Sequence, residues 1–472
     1  MCQTLPTNNI PLVVDLDGTL LATDTLWEGI WCCMARQPLR AVQLLCGTIS
    51  HGYLWLKERL LPYTLTGIGS YPLRPEVLDL LHTLAGENRP LVLATASPKP
   101  VAEAVAARLD IPFTTIFASG DGVNLRSQAK ADTLVAHYGE KGFDYAGDSN
   151  ADLPVWYAAR TAIVVGKSAL ARARAANPTC TFLPVRTPCI SDYLQAVRAR
   201  HWVKNLLVFV PMLLAHDLSQ FWTTALAFIG LCCCASGIYI FNDCCDLPND
   251  RHHPDKKYRP FAAGILPLAF APRAIILALL GTLSICLFLP KAYTICLLCY
   301  LIATLMYSLR LKQALFLDVI VLAGLYVLRI VAGAAAIGGG ISPWLLAVAG
   351  FFFLGLALLK RIGGLCLTET KTLSGRAYTF EDLPALTSMA VASGFSGLVV
   401  VALYVYSLPA MRLYTEPEWL WAACPLLAYW YGRLVILARR GALREDPVDF
   451  SLHDRPSLVT ALLLACTLLL AI

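Results

Sequence analysis

The sequence predicts two folds in series: a parallel α/β domain over residues 1–195 and an all-α membrane bundle over residues 196–472. Three observations carry this. Of 472 residues, 57% are apolar and 15% charged, and the mean hydropathy is +0.60, values that place the chain among integral membrane proteins. The charges are frequent up to about Arg200 and sparse afterwards, so the composition shifts near residue 195. The first part alternates short apolar blocks with helical stretches, whereas the second holds apolar runs long enough to span a bilayer. The N-terminal residues show neither a basic segment nor a long apolar one, so no signal peptide is expected and the first domain should stay in the cytoplasm. The 17 cysteines follow no metal or disulfide spacing and read as reduced, apolar thiols. The net charge of +6 calls for no nucleic-acid partner; it fits an excess of cations on the cytoplasmic side.

In the first domain, strands are predicted at 11–15, 91–95, 113–117, 143–147 and 162–165. Chemistry in such sheets sits at the carboxyl ends of the strands. Those ends carry Asp15 and Asp17, Thr95, and Asp148 with Asp152, and Lys130 opens a helix between the last two. A carboxylate can attack a phosphoester, and a second acid two residues on can protonate the leaving oxygen and then activate water. Magnesium would relieve the repulsion between anionic nucleophile and anionic phosphate. A hydroxyl and an ammonium would hold the phosphoryl oxygens.

Four motifs stand in order: Asp15-Leu16-Asp17-Gly18-Thr19, Leu93-Ala94-Thr95-Ala96-Ser97, Lys130, and Gly147-Asp148-Ser149-Asn150-Ala151-Asp152. The set resembles the haloacid dehalogenase family of phosphatases over essentially the whole domain. The resemblance implies a Rossmann-like fold with Asp15 as nucleophile and Asp17 as acid and base. It implies phosphate contacts from Thr95 and Lys130, and magnesium on Asp15, Asp148 and the Asp17 carbonyl, with Asp152 behind them. Residues 22 to about 75 would form a small helical cap. For its aromatics Trp27, Trp31, Tyr53 and Trp55, core packing is expected over substrate contact.

In the second part, apolar runs near 203–216, 221–241, 270–289, 292–307, 314–337, 343–360, 386–410, 417–436 and 456–472 suggest about nine transmembrane helices. Basic residues follow the even-numbered runs, which puts those loops on the side of the first domain and the C-terminus outside. The richest of these loops runs from Tyr239 to Gly264. Asn242, Asp246 and Asp250 are spaced four apart, which stacks them on one helix face, and Asp243 lies beside them. Lys256, Lys257 and Arg259 follow. Acids at the end of a membrane helix, followed by cations, suit magnesium on a diphosphate and basic side chains on a second phosphate. Pro248 lies between two of the acids and predicts a break or kink. Asp318 and Arg329 sit in otherwise apolar sequence and are expected to be functional or paired. For Lys360 and Arg361 simple topology signalling is expected.

This part is similar to the UbiA family of intramembrane prenyltransferases from about residue 199 onward. The first family signature is complete as Asn242-Asp243-Cys244-Cys245-Asp246-Leu247-Pro248-Asn249-Asp250. The second, a DxxxD motif, is not: Leu322 stands four residues after Asp318. HWVKNLLVFVP at 201–211, the DRHHPDKKYRPFAAG segment, YSLRLK and EDPVDFSLHDR look like the branch that includes decaprenyl-phosphate phosphoribosyltransferase. The resemblance implies magnesium on Asn242, Asp243, Asp246 and Asp250. It implies substrate contacts from Lys204, Lys256, Arg259, Tyr307, Lys312, Asp318 and Arg329. The donor would be phosphoribosyl diphosphate and the acceptor a polyprenyl phosphate.

The joint expectation is a bifunctional enzyme of the bacterial inner membrane. The transferase would make polyprenyl-phosphoryl 5-phosphoribose and the phosphatase would remove its 5-phosphate, each with Mg2+, both sites on the cytoplasmic face. A homo-oligomer is compatible with this reading. Two alternatives remain at this stage: an aromatic or quinone prenyltransferase using a prenyl diphosphate, and a lipid-binding or transport protein with a regulatory phosphatase-like domain.

Overall fold

Six parallel strands lie side by side in the order β3-β2-β1-β4-β5-β6. They are β1 (Leu12–Val14), β2 (Leu91–Pro98), β3 (Phe113–Ser119), β4 (Asp144–Gly147), β5 (Ala162–Val165) and β6 (Cys180–Leu183). Five match the expected strands. The sixth, an edge strand of half-buried residues, is too short and mixed to stand out in sequence. Alternation along β1 divides the core. Leu12 and Val14 face one apolar layer with Val77, Leu81 and Val101; Val13 faces the other with Leu134, Val155 and Trp156. Helices therefore cover both faces of the sheet, as a parallel sheet requires. The strand order reverses between β1 and β4, the point where such sheets open a crevice at their carboxyl ends.

The computed structural model describes residues 10–120, 122–367, 376–443 and 446–472. Its residues group into two compact units, Met1–Val197 with Tyr239–Ala274, and Arg198–Ile238 with Ile275–Ile472. In the first unit α1 (Thr25–Arg36) and α2 (Pro38–Gly67) form the cap, and α2 is kinked at Gly52. The helices around the sheet are α3 (Pro75–Gly86), α4 (Lys99–Arg108), α5 (Gln128–Tyr138), α6 (Leu153–Ala158), α7 (Leu170–Ala176) and α8 (Ile190–Ala196).

The membrane part is all-α. After α9 (Val210–Leu214) come α10 (Phe221–Cys245), α11 (Leu247–His252), α12 (Phe270–Cys286), α13 (Lys291–Leu309), α14 (Leu317–Ala336) and α15 (Pro343–Leu367). They are followed by α16 (Leu383–Val405), α17 (Leu408–Leu413), α18 (Ala423–Arg439), α19 (Pro447–Ser451) and α20 (Arg455–Ala471). Among the described residues six helices are long and apolar enough to cross a membrane, and α12 and α20 are shorter apolar helices. The expected count of about nine is not shown by the described residues. The run at 203–216 forms a 3-10 helix, Ala199–Phe209, and then the five-residue α9, which starts at Val210-Pro211. The 3-10 stretch begins after Arg198, a left-handed residue, and buries the polar Lys204 and Asn205. The core of the second unit joins α14, α15, α16 and α18 through Val319, Leu358, Ile362, Leu386 and Tyr431.

Candidate functional site

The carboxyl ends of β1 and β4 bring Asp15 and Asp148 together. With Asp152 they offer oxygens that all lie within 4.8 Å of one another, the only such group of three or more possible metal ligands among the described residues. Lys130, opening α5, donates to Asp15 Oδ1 at 2.7 Å and to Tyr145 Oη at 2.9 Å. Its ammonium is 3.7 Å from Asp152 Oδ1. Asp152 is held from behind: Tyr145 donates to it at 2.8 Å, and the Ser149 backbone N–H and hydroxyl each at 3.1 Å. Gly18 is required here. It has a positive φ of 77°, and a Cβ would lie 2.5 Å from Asp148 Oδ2.

Asp17 turns toward the cap. Its carboxylate accepts from the Thr25 backbone N–H at 2.7 Å and from Ser97 Oγ at 2.7 Å. Thr95 is fully buried, and its hydroxyl accepts from the Ser97 backbone N–H at 3.0 Å. Burial, opposed by Lys130 and assisted by Asp152, pushes the Asp15 carboxyl up to about 7. Burial and the neighbouring Asp15 push Asp148 up to about 8. Burial alone would lower the Lys130 ammonium, but Asp15 and Asp152 outweigh it and raise it. Several acids thus share one buried cation. This excess of negative charge, on an all-oxygen donor set, fits a hard divalent ion such as magnesium.

A cavity of about 1410 Å³ opens over this cluster. Its far wall is the cap, including Leu26, Trp27, Ile49 and Tyr53. Tyr53, which is exposed, lines the cavity instead of packing in the core, and Trp27 lines it while also packing against the cap core; Trp31 and Trp55 pack as expected. Lys57 of the cap donates to the Ala96 carbonyl at 2.6 Å. A third wall comes from residues 264–273, including Ile265, Leu268 and Arg273.

That third wall continues the acidic stretch. Backbone N–H groups of Asp246 and Asp250 donate to the Asn242 and Asp246 carbonyls, both at 2.9 Å. The four-residue register of Asn242, Asp246 and Asp250 is therefore kept across the break that Pro248 makes. Asp246 is the N-cap of α11, and Pro248 occupies its first turn, where no amide donor is needed. Arg259 Nη1 bonds Asp243 Oδ1 at 3.1 Å and Asp250 Oδ2 at 2.5 Å. Burial raises the Asp250 carboxyl, with Arg259 opposing it. Lys256 is exposed. The Asn amide and carboxylate oxygens suit magnesium by type, but among the described residues these acids form no gathered group.

The stretch is also strapped to the cap. Arg251 donates to both Glu28 oxygens, at 2.5 and 3.1 Å, and to the Ala262 carbonyl at 3.1 Å. Glu28 also accepts from Thr23 Oγ1 at 2.6 Å. Both members of the pair are buried. Trp31 meets Phe241 edge-on with ring centroids 6.0 Å apart. A Cβ on Gly264, which has φ of 69°, would sit 2.5 Å from the Ala22 carbonyl oxygen.

In the second unit the remaining expected residues fall into three polar clusters. Lys204 lies 3.1 Å from Asp446 and 3.0 Å from Asp449, and Asp446 also meets Lys360 at 2.8 Å and Tyr326 Oη at 3.0 Å. Burial would raise the Asp446 carboxyl, but Lys360 and Lys204 hold it well below the usual range. Arg329 donates to Asn205 Oδ1 and to Tyr300 Oη, both at 3.0 Å. Asp318 is fully buried, bonded by Arg361 Nε at 2.7 Å and by Tyr378 Oη. Tyr307 Oη receives Arg361 and Arg376, each at 2.9 Å. Arg376 also donates to the Lys312 carbonyl at 3.0 Å. Lys360 and Arg361 are thus ion-paired partners rather than bare topology signals. Glu445, at the start of the last expected motif, lies outside the described residues. Tyr145 and Glu28 are participants that the sequence motifs do not contain, and Ser97, Arg251 and Asp446 stand inside motifs without an assigned role; a polar residue inside a motif or beside a membrane helix is the available signal.

The UbiA prenyltransferase family model matches residues 206–453. The haloacid dehalogenase-like hydrolase model matches residues 12–156. The uncharacterized protein y4nM of Sinorhizobium fredii is 32% identical, over 98% of this chain and 91% of its own length. The nodulation protein NoeC of Azorhizobium caulinodans is 34% identical, over 58% of this chain and 91% of its own length. The decaprenyl-phosphate phosphoribosyltransferase of Mycolicibacterium smegmatis is 34% identical, over 38% of this chain and 59% of its own length.

Proposed function

Because the chain belongs to the UbiA prenyltransferase family and carries a haloacid dehalogenase-like hydrolase domain, we propose that it is a bifunctional membrane enzyme. It transfers 5-phosphoribose from phosphoribosyl diphosphate to a polyprenyl phosphate, then removes the 5-phosphate to give polyprenyl-phosphoryl ribose. The donor and acceptor rest on the similarity to decaprenyl-phosphate phosphoribosyltransferases. One observation carries the coupling: the cavity over Asp15 is walled in part by residues 264–273, which continue directly from the acidic stretch.

In the transferase, Asn242, Asp243, Asp246 and Asp250 would hold magnesium. Lys256 and Arg259 would hold the phosphate of the sugar. Lys204, Tyr307, Lys312, Asp318 and Arg329 would bind or position the lipid phosphate, whose oxygen attacks the anomeric carbon as diphosphate leaves. Positioning and charge stabilisation supply most of the catalysis.

In the hydrolase, Asp15, Asp148 and the Asp17 carbonyl would hold magnesium, and Asp152 orients the set. Bound there, it would neutralise the charge between carboxylate and phosphate. Lys130 steers Asp15, whose free oxygen attacks phosphorus and forms an acyl phosphate. Asp17 gives its proton to the departing sugar oxygen, then takes one from the water that hydrolyses the acyl phosphate. Thr95 and Lys130 would hold the phosphoryl oxygens. The basic loops and the hydrolase domain lie on the cytoplasmic side of a bacterial inner membrane, with the C-terminus outside.

The test supplies labelled phosphoribosyl diphosphate, or a prenyl diphosphate in its place, together with polyprenyl phosphate. Label should enter the lipid only from phosphoribosyl diphosphate, and Asp246→Ala should cut that labelling by about 10²–10³-fold. Transfer from prenyl diphosphate alone would overturn the donor assignment.

A further inference from the structure

The cap helix α2 is apolar on two opposite sides. Ala41 and Leu44 enter the cap core with Ile30, Leu56 and Leu60. On the other side Val42, Leu45, Cys46 and Ile49 follow the i, i+3, i+4, i+7 pattern of a helix face. That face is bare: Leu39 is 81% exposed, Val42 50% and Ile49 91%. Exposed apolar stripes of this kind mark an interaction surface. Arg36 and Arg40 are exposed beside it in the chain, cations of the kind that border a helix lying in a membrane interface.

Two further observations select a lipid bilayer as the occupant. The last turns of α10, a helix long and apolar enough to span the membrane, belong to the same compact unit as the cap. Phe241 of that helix packs on Trp31 of α1, so the cap is held against the end of a helix long and apolar enough to span. The bare stripe also runs into the cavity, since Leu45, Ile49 and Tyr53 line it.

We propose that α2 lies on the bilayer surface through Leu39, Val42, Leu45 and Ile49, and that the cavity takes its phosphomonoester from the membrane as a lipid-linked molecule. The second half rests on the hydrolase reading of the cavity; the lipid contact does not. The helix serves as an apolar lip. A substrate with a prenyl tail keeps the tail in the bilayer while its phosphate passes beneath the cap to Asp15.

The test uses the full chain in nanodiscs of phosphatidylcholine and phosphatidylglycerol. With a benzophenone residue at position 49 (Ile49→p-benzoylphenylalanine), light should attach one phospholipid per chain. The same residue at exposed Glu87 should attach several-fold less. A covalent dimer at position 49, or lipid capture no higher than at position 87, overturns the docking. In the same nanodiscs, Leu39→Glu with Val42→Glu should raise KM for a prenyl-linked phosphomonoester about tenfold at unchanged kcat. Hydrolysis of soluble p-nitrophenyl phosphate should stay at the wild-type rate. Equal changes on both substrates, or none on either, contradict a membrane lip. If wild type hydrolyses neither substrate while lipid capture persists, the hydrolase reading fails and the docking stands.

Discussion

The two acidic regions of this chain hold their charge in opposite ways. Asp15 arrives from the end of β1 and Asp148 with Asp152 from beyond β4, and the three crowd within 4.8 Å, with Lys130 as their buried cation. Asn242, Asp246 and Asp250 sit on one continuous segment, a helical turn apart, and Arg259 occupies two acids of that stretch. A sheet with a reversal of strand order concentrates charge at one point. A helix distributes it along a face, roughly 5–6 Å between neighbours. On the proposed reading, the first arrangement suits a single point of chemistry and the second an extended, multiply charged ligand. Arg251 and Glu28 join the two.

The largest expected effect breaks the first region alone. Asp15→Asn should lower phosphate release by roughly 10⁴-fold, as loss of a nucleophile does, while labelled lipid still forms. Phosphate release at the wild-type rate would remove Asp15 from its role. Next, Asp246→Ala or Asp250→Ala should cut lipid labelling by about 10²–10³-fold and leave p-nitrophenyl phosphate hydrolysis intact. Loss of both activities together would mean that the regions act as one site.

Much of this was legible in the residues, for a local reason. Asp15, Asp17, Lys130 and Asp148 each close a strand or open a helix, so motif and element boundary coincide. Ser97 has no role legible in its motif because its partner is set by strand neighbours: it reaches Asp17 across 80 positions. In the membrane part Lys360 and Arg361 read as topology signals, since nothing near them in sequence announces Asp446 or Asp318, 86 and 43 residues away. The helix count suffered for another reason. The run at 203–216 is apolar enough, yet Lys204 and Asn205 are drawn into buried polar pairs, and Pro211 starts a new, short helix.

The joint between the regions gives a middle-sized effect. Glu28→Leu leaves Arg251 buried without its carboxylate and should cost about 3–5 kcal/mol, read as a lower denaturation midpoint of the full chain in detergent. Glu28→Leu with Arg251→Met should recover most of it. If the single and double variants are equally unstable, the ion pair is not what joins cap and acidic stretch.

The smallest effect lies away from both regions. Burial would raise Asp144, but hydrogen bonds from Arg160 and Arg89 hold its carboxyl below the usual value. A folded-state pKa below the unfolded one contributes stability above about pH 4 and loses it as pH falls through the folded value. Asp144→Asn should therefore be less stable than wild type at pH 7, with the gap closing below about pH 4. A gap that does not change with pH would contradict the assignment.

On the proposed reading, one chain first phosphoribosylates a lipid and then dephosphorylates it. The mass of the lipid product tests this directly, measured for wild type and Asp15→Asn given phosphoribosyl diphosphate and polyprenyl phosphate. Wild type should yield the phosphate-free ribosyl lipid, and the variant a product one phosphate heavier. Identical masses from the two proteins would contradict it.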